Sequence, residues 1–183
     1  PAVIVEPPVD GSSEDVVRAN AWQFRQILAR GAHGILMCHA ETPGAVKAFV
    51  ESCRYPFQTV GVGKGLAQGQ RGSAGQASAS QVWGVSIDDY LDKADPWPLN
   101  ADGELMLGLK IENRRALVNV EATTRVPGIS FAEWGPGDMG LSFGDPSLHD
   151  PPYSPQMNEA RNIVKSACDK AGIAFQCNWA DPS

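Results

Sequence analysis

Segments with strand-like and helix-like periodicity alternate along most of this 183-residue chain, and no other feature limits its fold as much. Successive strands separated by helical crossovers run parallel, so the order βαβα implies an α/β fold with a parallel sheet. The first strand candidate is Ala2 to Glu6. Asp10-Gly11-Ser12-Ser13 then supplies turn and cap residues, and Glu14 and Asp15 suit the first turn of a helix. Val17, Ala21, Phe24, Ile27 and Leu28 recur at helical spacing along it, and Trp22 is expected in the core beside them. Gly34 to Cys38 reads as a strand buried on both faces. Thr42-Pro43 opens a helix that runs to about Cys53.

The stretch 57–82 is rich in Gly, Ser, Ala and Gln and has no periodicity, so it reads as one long loop. Ser86 to Ala94 follows as a short helix that Asp95-Pro96-Trp97-Pro98 stops. After it come a strand (Leu105 to Ile111), a helix (Asn113 to Val126), a strand (Ile129 to Ala132), a loop from Gly144 to Pro155, a helix (Gln156 to Ala171) and a strand (Ile173 to Cys177). Five strands result. A doubly wound sheet and a (β/α)8 barrel both satisfy this order. No GxGxxG follows the first strand, and Gly61-Val62-Gly63-Lys64-Gly65 lacks phosphate-loop spacing and its Ser or Thr. Nucleotide binding is therefore not the reading.

A net charge of −6 with scattered Lys and Arg excludes nucleic acid and anionic membrane as partners. Cys38, Cys53, Cys168 and Cys177 form no CxxC pair and no zinc spacing. With no leader and no membrane-length apolar run, a cytoplasmic setting is expected. The chain opens directly on a strand and closes on a strand and loop, so a single barrel domain over 1–183, cut at both ends, is expected.

In parallel α/β folds, chemistry collects where strands end. Those positions hold Glu6, His39 and Glu41, Glu112, Glu133, Trp134 and Asp138, then Asn178 and Trp179. Carboxylates converging on one mouth repel one another, and a hard cation between them relieves that repulsion. Solvated loop acids are the competing reading.

Three segments carry a resemblance. Leu109-Lys110-Ile111-Glu112-Asn113 with Ala116-Leu117-Val118-Asn119-Val120 resembles the QIE…A…N motif of the HpcH/HpaI aldolase/citrate lyase family. Val126-Pro127-Gly128-Ile129-Ser130, then Gly135-Pro136-Gly137-Asp138-Met139-Gly140, resembles its PGVD…GPxDL segment. Gly31-Ala32-His33-Gly34-Ile35-Leu36 through Glu41-Thr42 to Arg54-Tyr55-Pro56 resembles its GAxGI…VET…YP stretch. The resemblance implies a (β/α)8 TIM-type barrel of which this chain covers about strands three to seven. It implies a lyase of class II aldolase type, joining or cleaving a 2-oxo acid (pyruvate or oxaloacetate) and an aldehyde through a metal-stabilised enolate. Glu112 and Asp138 would be the ligands of Mg²⁺ or Mn²⁺, and the backbone around Gly137 and Asp138 would receive the substrate carboxylate. A homo-oligomer, trimer or hexamer, is also implied.

Beside these, His39, Trp134, Trp179 and Arg71 are candidate substrate contacts. The general base, a His paired with an Asp, is expected outside this chain; His33 and His149 do not match it. The family's Arg on the first strand is missing, its place taken by Val5 or Glu6, and Lys64 and Arg71 are the candidate replacements. An oxaloacetate decarboxylase or citrate-lyase-like enzyme on the same site, and a non-catalytic barrel binding metal or ligand, remain as alternatives.

Overall fold

In the computed structural model, which describes residues 1–147 and 149–177, all strand pairs are parallel. The elements are β1 (Ile4–Val5), α1 (Glu14–Ala29), β2 (Gly34–Met37), α2 (Pro43–Cys53), α3 (Gln76–Trp83), α4 (Ile87–Lys93), β3 (Pro96–Trp97), β4 (Leu105–Ile111), α5 (Arg114–Thr123), β5 (Phe131–Trp134), α6 (Pro136–Phe143), α7 (Pro155–Ala171) and β6 (Ala174–Cys177). The sheet runs β1-β2-β4-β5-β6, with β3 beside the start of β4. This consecutive parallel order with helical crossovers is that of successive units of a (β/α) TIM-type barrel. Among the described residues no helix is long and apolar enough to cross a membrane.

Ser13 and Thr42 cap helices as the sequence suggests, and Asn113 and Ser154 prove to be caps as well. Ser13, Thr42, Asn113 and Ser154 each accept a backbone N–H from the first turn of α1, α2, α5 and α7. On α1, Val17, Ala21, Phe24 and Leu28 are buried, but Trp22 is exposed, one position out of phase with that stripe. The loop expected over 57–82 ends earlier: α3 begins at Gln76, where Ser78 Oγ donates to the carbonyl of Ala29 and Ala79 and Ser80 are buried. Small, weakly patterned residues hid this helix. Pro96–Trp97 pairs with Leu105–Met106 rather than only stopping a helix, and β5 lies two residues beyond the expected strand.

The two sheet faces differ in kind. On β4, Leu105, Leu107, Leu109 and Ile111 point at the helices and join Ile35, Met37, Ala132 and Trp134 in the main core with α1, α2, α5 and α7. The alternate positions, Lys110 and then Glu112, share the other face with Glu133, which pairs with Lys110 in register. Gly108 belongs to this inner face too. A Cβ there would fall 2.2 Å from the Phe131 ring of the neighbouring strand, so the glycine lets that aromatic lie across β4. The barrel-interior face is thus polar toward the carboxyl ends of the strands.

A buried ion pair anchors the segment after α2. Arg54 reaches Asp95 through Nε at 2.6 Å and Nη2 at 3.0 Å, both side chains are inaccessible to solvent, and Nη1 donates to the Val60 carbonyl. The fork geometry matches two guanidinium donors to two carboxylate oxygens.

Candidate metal centre

Glu112 follows β4 directly, so its side chain inherits the inner-face direction of Lys110. Asp138 stands in the first turn of α6, immediately beyond β5, where acidic residues are favoured by the helix N-terminus. His39 follows β2 by two residues with φ +48, a left-handed conformation uncommon for a residue with a side chain. That twist turns its backbone N–H toward Glu112 Oε1 at 3.0 Å. One ligand atom from each of His39, Glu112 and Asp138 lies within 4.8 Å of the others. Two carboxylates and an imidazole form an oxygen–nitrogen donor set suited to a hard or borderline divalent cation.

The electrostatics support that fit. Glu112 is 1% exposed, and burial pushes its carboxyl up to about 7; the His39 N–H and the charges of Lys110 and His39 pull it only partly back, while Asp138 raises it again. Lys110 Nζ is 3.8 Å away, too far for a firm hydrogen bond. A buried carboxylate short of compensation is what a cation would complete. His39 Nδ1 pairs with Asp10 Oδ1 at 2.9 Å, and Nε2 is 3.4 Å from Glu112 Oε1. A carboxylate behind one ring nitrogen fixes the imidazole so that the other faces the cluster. Asp10 gets there because the loop after β1 runs beside the end of β2, Gly11 N–H donating to the Cys38 carbonyl.

Two further acids flank the site. Burial raises the Glu133 carboxyl, Lys110 opposing it. Burial would also raise Glu6, but hydrogen bonds from Lys110 and Cys38 outweigh it and hold Glu6 below the usual carboxylate range. Cys38 itself is driven upward by burial and by its hydrogen bond to Glu6, so it stays a thiol.

The remaining expected site residues fall in different places. Gly137 is exposed at the start of α6, with open space above its Cα. Trp134 is fully buried on the helix side, edge-on to Tyr153 at 5.0 Å; it alternates with Glu133, so the acid faces the mouth and the indole faces the core. Arg71 packs over the Tyr55 ring at 4.1 Å and donates to the Tyr90 hydroxyl, and none of its contacts among the described residues is with the cluster. Glu41 is buried and bound by Arg115 and Asn113, a tie between the β2–α2 loop and α5. Trp179 and Asn178 lie outside the described residues. Sequence reasoning overlooked Asp10 and Lys110 as members of the site; the strand alternation that put Glu112 there was the signal for Lys110.

The chain resembles known proteins over most of its length. The family model HpcH/HpaI aldolase/citrate lyase matches residues 8–182. A hydroxypyruvate/pyruvate aldolase of Paraburkholderia phytofirmans is 30% identical over 165 residues, covering 88% of this chain and 56% of that protein. A 2-keto-3-deoxy-L-rhamnonate aldolase of Klebsiella pneumoniae is 30% identical over 139 residues, covering 74% and 45%. The crystal structure of an HpcH/HpaI aldolase from Desulfitobacterium hafniense superposes with a TM-score of 0.71 at 21% identity, covering 99% of this chain and 59% of that one. The chain spans about half the length of the curated relatives it matches. With the family's matched span running through β2, Glu112 and Asp138, the chain belongs to the HpcH/HpaI aldolase/citrate lyase family.

Proposed function

We propose that this chain carries the metal site of a divalent-cation-dependent carbon–carbon lyase acting on a 2-oxo acid, such as pyruvate or oxaloacetate, and an aldehyde. The convergence of His39, Glu112 and Asp138 within 4.8 Å at the carboxyl ends of the strands carries the reading. Glu112 and Asp138 would hold Mg²⁺ or Mn²⁺, with His39, braced by Asp10, at a third position. A bound cation supplies Lewis acidity to the keto oxygen of the oxo acid, where negative charge develops as the carbon–carbon bond breaks.

The chain's own groups do the rest. The first-turn N–H groups at Gly137 and Asp138 have no intrahelical acceptor and would receive the substrate carboxylate. Glu112, buried and fixed by the His39 N–H, holds one side of the site rigid. Membership of the family and relatives named as aldolases support the aldol reading over decarboxylation. The thiols of Cys38, Cys53 and Cys168 suit a reducing cytoplasmic setting, and assembly into a homo-oligomer, trimer or hexamer, is part of the proposal.

Chelator-stripped protein should regain Mn²⁺ binding by calorimetry, and turnover of 4-hydroxy-2-oxo acids should return with Mg²⁺ or Mn²⁺. Glu112→Gln and Asp138→Asn variants that still bind Mn²⁺ as tightly as the parent would sink the assignment. Faster turnover of oxaloacetate than of any aldol would favour the decarboxylase instead.

A further inference from the structure

Two inner-face positions depart from the pattern the resemblance implies, and the structure brings them into contact. Of the two residues at the place where an Arg is expected, Val5 pairs with Ile35 on the helix side and Glu6 falls on the inner face; Lys110 stands where the QIE motif has Gln. Lys110 Nζ lies 2.9 and 3.1 Å from the two carboxylate oxygens of Glu6. Either change alone would unbalance this face. Glu6 without Lys110 would add a third carboxylate beside Glu112 and Glu133. The positive charge on this face is thus on β4, paired with the acid on the β1 side of the mouth.

We propose that Lys110 is the cationic substrate contact of this site, replacing a guanidinium on the first strand with an ammonium on β4, two residues before Glu112. This rests on the metal-dependent oxo-acid reading above. Lys110 and Glu112 are two residues apart on one strand face, and Nζ is 3.8 Å from Glu112 Oε2, so the ammonium borders the metal position. Its stem runs under the segment bearing Asp138, with Cε 3.3 Å from where a Cβ on Gly135 would be. The Lys110 side chain is 18% exposed and Glu6 46%, so the pair is open at its Glu6 end. An ammonium has three donors. Glu6 takes at most two, leaving one for the carboxylate or keto oxygen of an incoming oxo acid. A cation held by Glu112 and Asp138 neutralises those acids and leaves Lys110 as the positive charge facing the ligand. The replacements suggested by sequence are elsewhere: Lys64 is on an exposed loop and Arg71 is packed between tyrosines.

The test titrates the Mn²⁺-loaded protein with oxalate, a planar dianion that presents the paired oxygens of an oxo acid. Lys110→Gln should keep or slightly raise Mn²⁺ affinity, since a nearby positive charge is gone, and weaken oxalate roughly tenfold or more. Lys110→Arg should retain most oxalate affinity. The exchange Glu6→Arg with Lys110→Gln, which restores the family pattern, should recover what the single variant lost. Lys110→Gln binding oxalate as the parent does overturns the proposal, leaving the metal reading intact. So does a parent that binds Mn²⁺ but not oxalate. A parent that takes up no Mn²⁺ overturns the metal reading instead. If Lys110→Gln does not fold, Glu6→Gln probes the same contact from the other side: releasing Nζ should tighten oxalate, and unchanged affinity overturns the proposal.

Discussion

The carboxylate of Glu112 occupies space that a side chain on residue 135 would need. A Cβ built on Gly135 falls 2.9 Å from Glu112 Cβ and 3.0 Å from its Oε2. The glycine thus fixes where the acid sits, although it offers no ligand itself. Gly135→Ala is expected to displace the carboxylate and weaken Mn²⁺ binding roughly 10- to 100-fold, as loss of other supporting groups around metals does. Titration calorimetry reads this directly; parent-like affinity in the alanine variant contradicts it.

Glu112 should also reveal itself as a functional residue held at the expense of stability. Its folded-state pKa of about 7 exceeds the ordinary 4.5, so between these values the metal-free fold holds a proton that the unfolded chain has lost. Stability therefore falls as pH rises through that window and carries the full penalty above 7. Glu112→Gln removes the titration while keeping an oxygen for the His39 N–H. In chelator, the variant should be more stable than the parent at about pH 8, on the order of 1 kcal/mol, with the difference shrinking toward about pH 5. Thermal melts at the two pH values check it. Saturating Mn²⁺ should reverse the order, because only the parent gains from binding.

The buried Arg54–Asp95 pair makes a prediction about the fold alone. Removing one partner strands the other charge away from water, so Arg54→Met or Asp95→Ala should each cost about 3–5 kcal/mol. Urea denaturation measures the loss. The double replacement with apolar residues should recover part of it, and a double variant no better than the singles would contradict the reasoning.

The Glu41–Arg115 pair is asymmetric. Glu41 is buried and also receives Asn113 Nδ2 at 3.0 Å, whereas Arg115 is largely exposed. Glu41→Ala should therefore cost about 1–3 kcal/mol by leaving the Asn113 amide unpaired. Arg115→Ala should change stability far less, since Glu41 keeps Asn113 and gains water. Equal losses in urea melts would overturn this.

Much of the frame was legible because amphipathic periodicity, caps and strand ends are written locally. Ser13, Thr42 and Asn113 mark helix starts without any knowledge of the fold, and Glu112 and Asp138 stand out as acids just past strands. What could not be read needs the third dimension or a single-residue phase. Trp134 and Glu133 differ by one position, and only strand pairing decides which faces the mouth. The helix α6 opens on Pro136-Gly137, and α3 is built of small residues, so neither shows a strong stripe. Asp10 reaches His39 only because two loops run side by side, a relation between residues 29 apart that no local pattern encodes.

The alternation along β4 has a consequence for how such proteins diverge. Leu105, Leu107, Leu109 and Ile111 hold the helices, while Lys110 and Glu112 lie on the opposite, barrel-interior face. Inheritance of shape and inheritance of reactivity therefore run on interleaved letters of the same segment. A substitution can rewrite one set, as at Lys110, and leave the other unaltered.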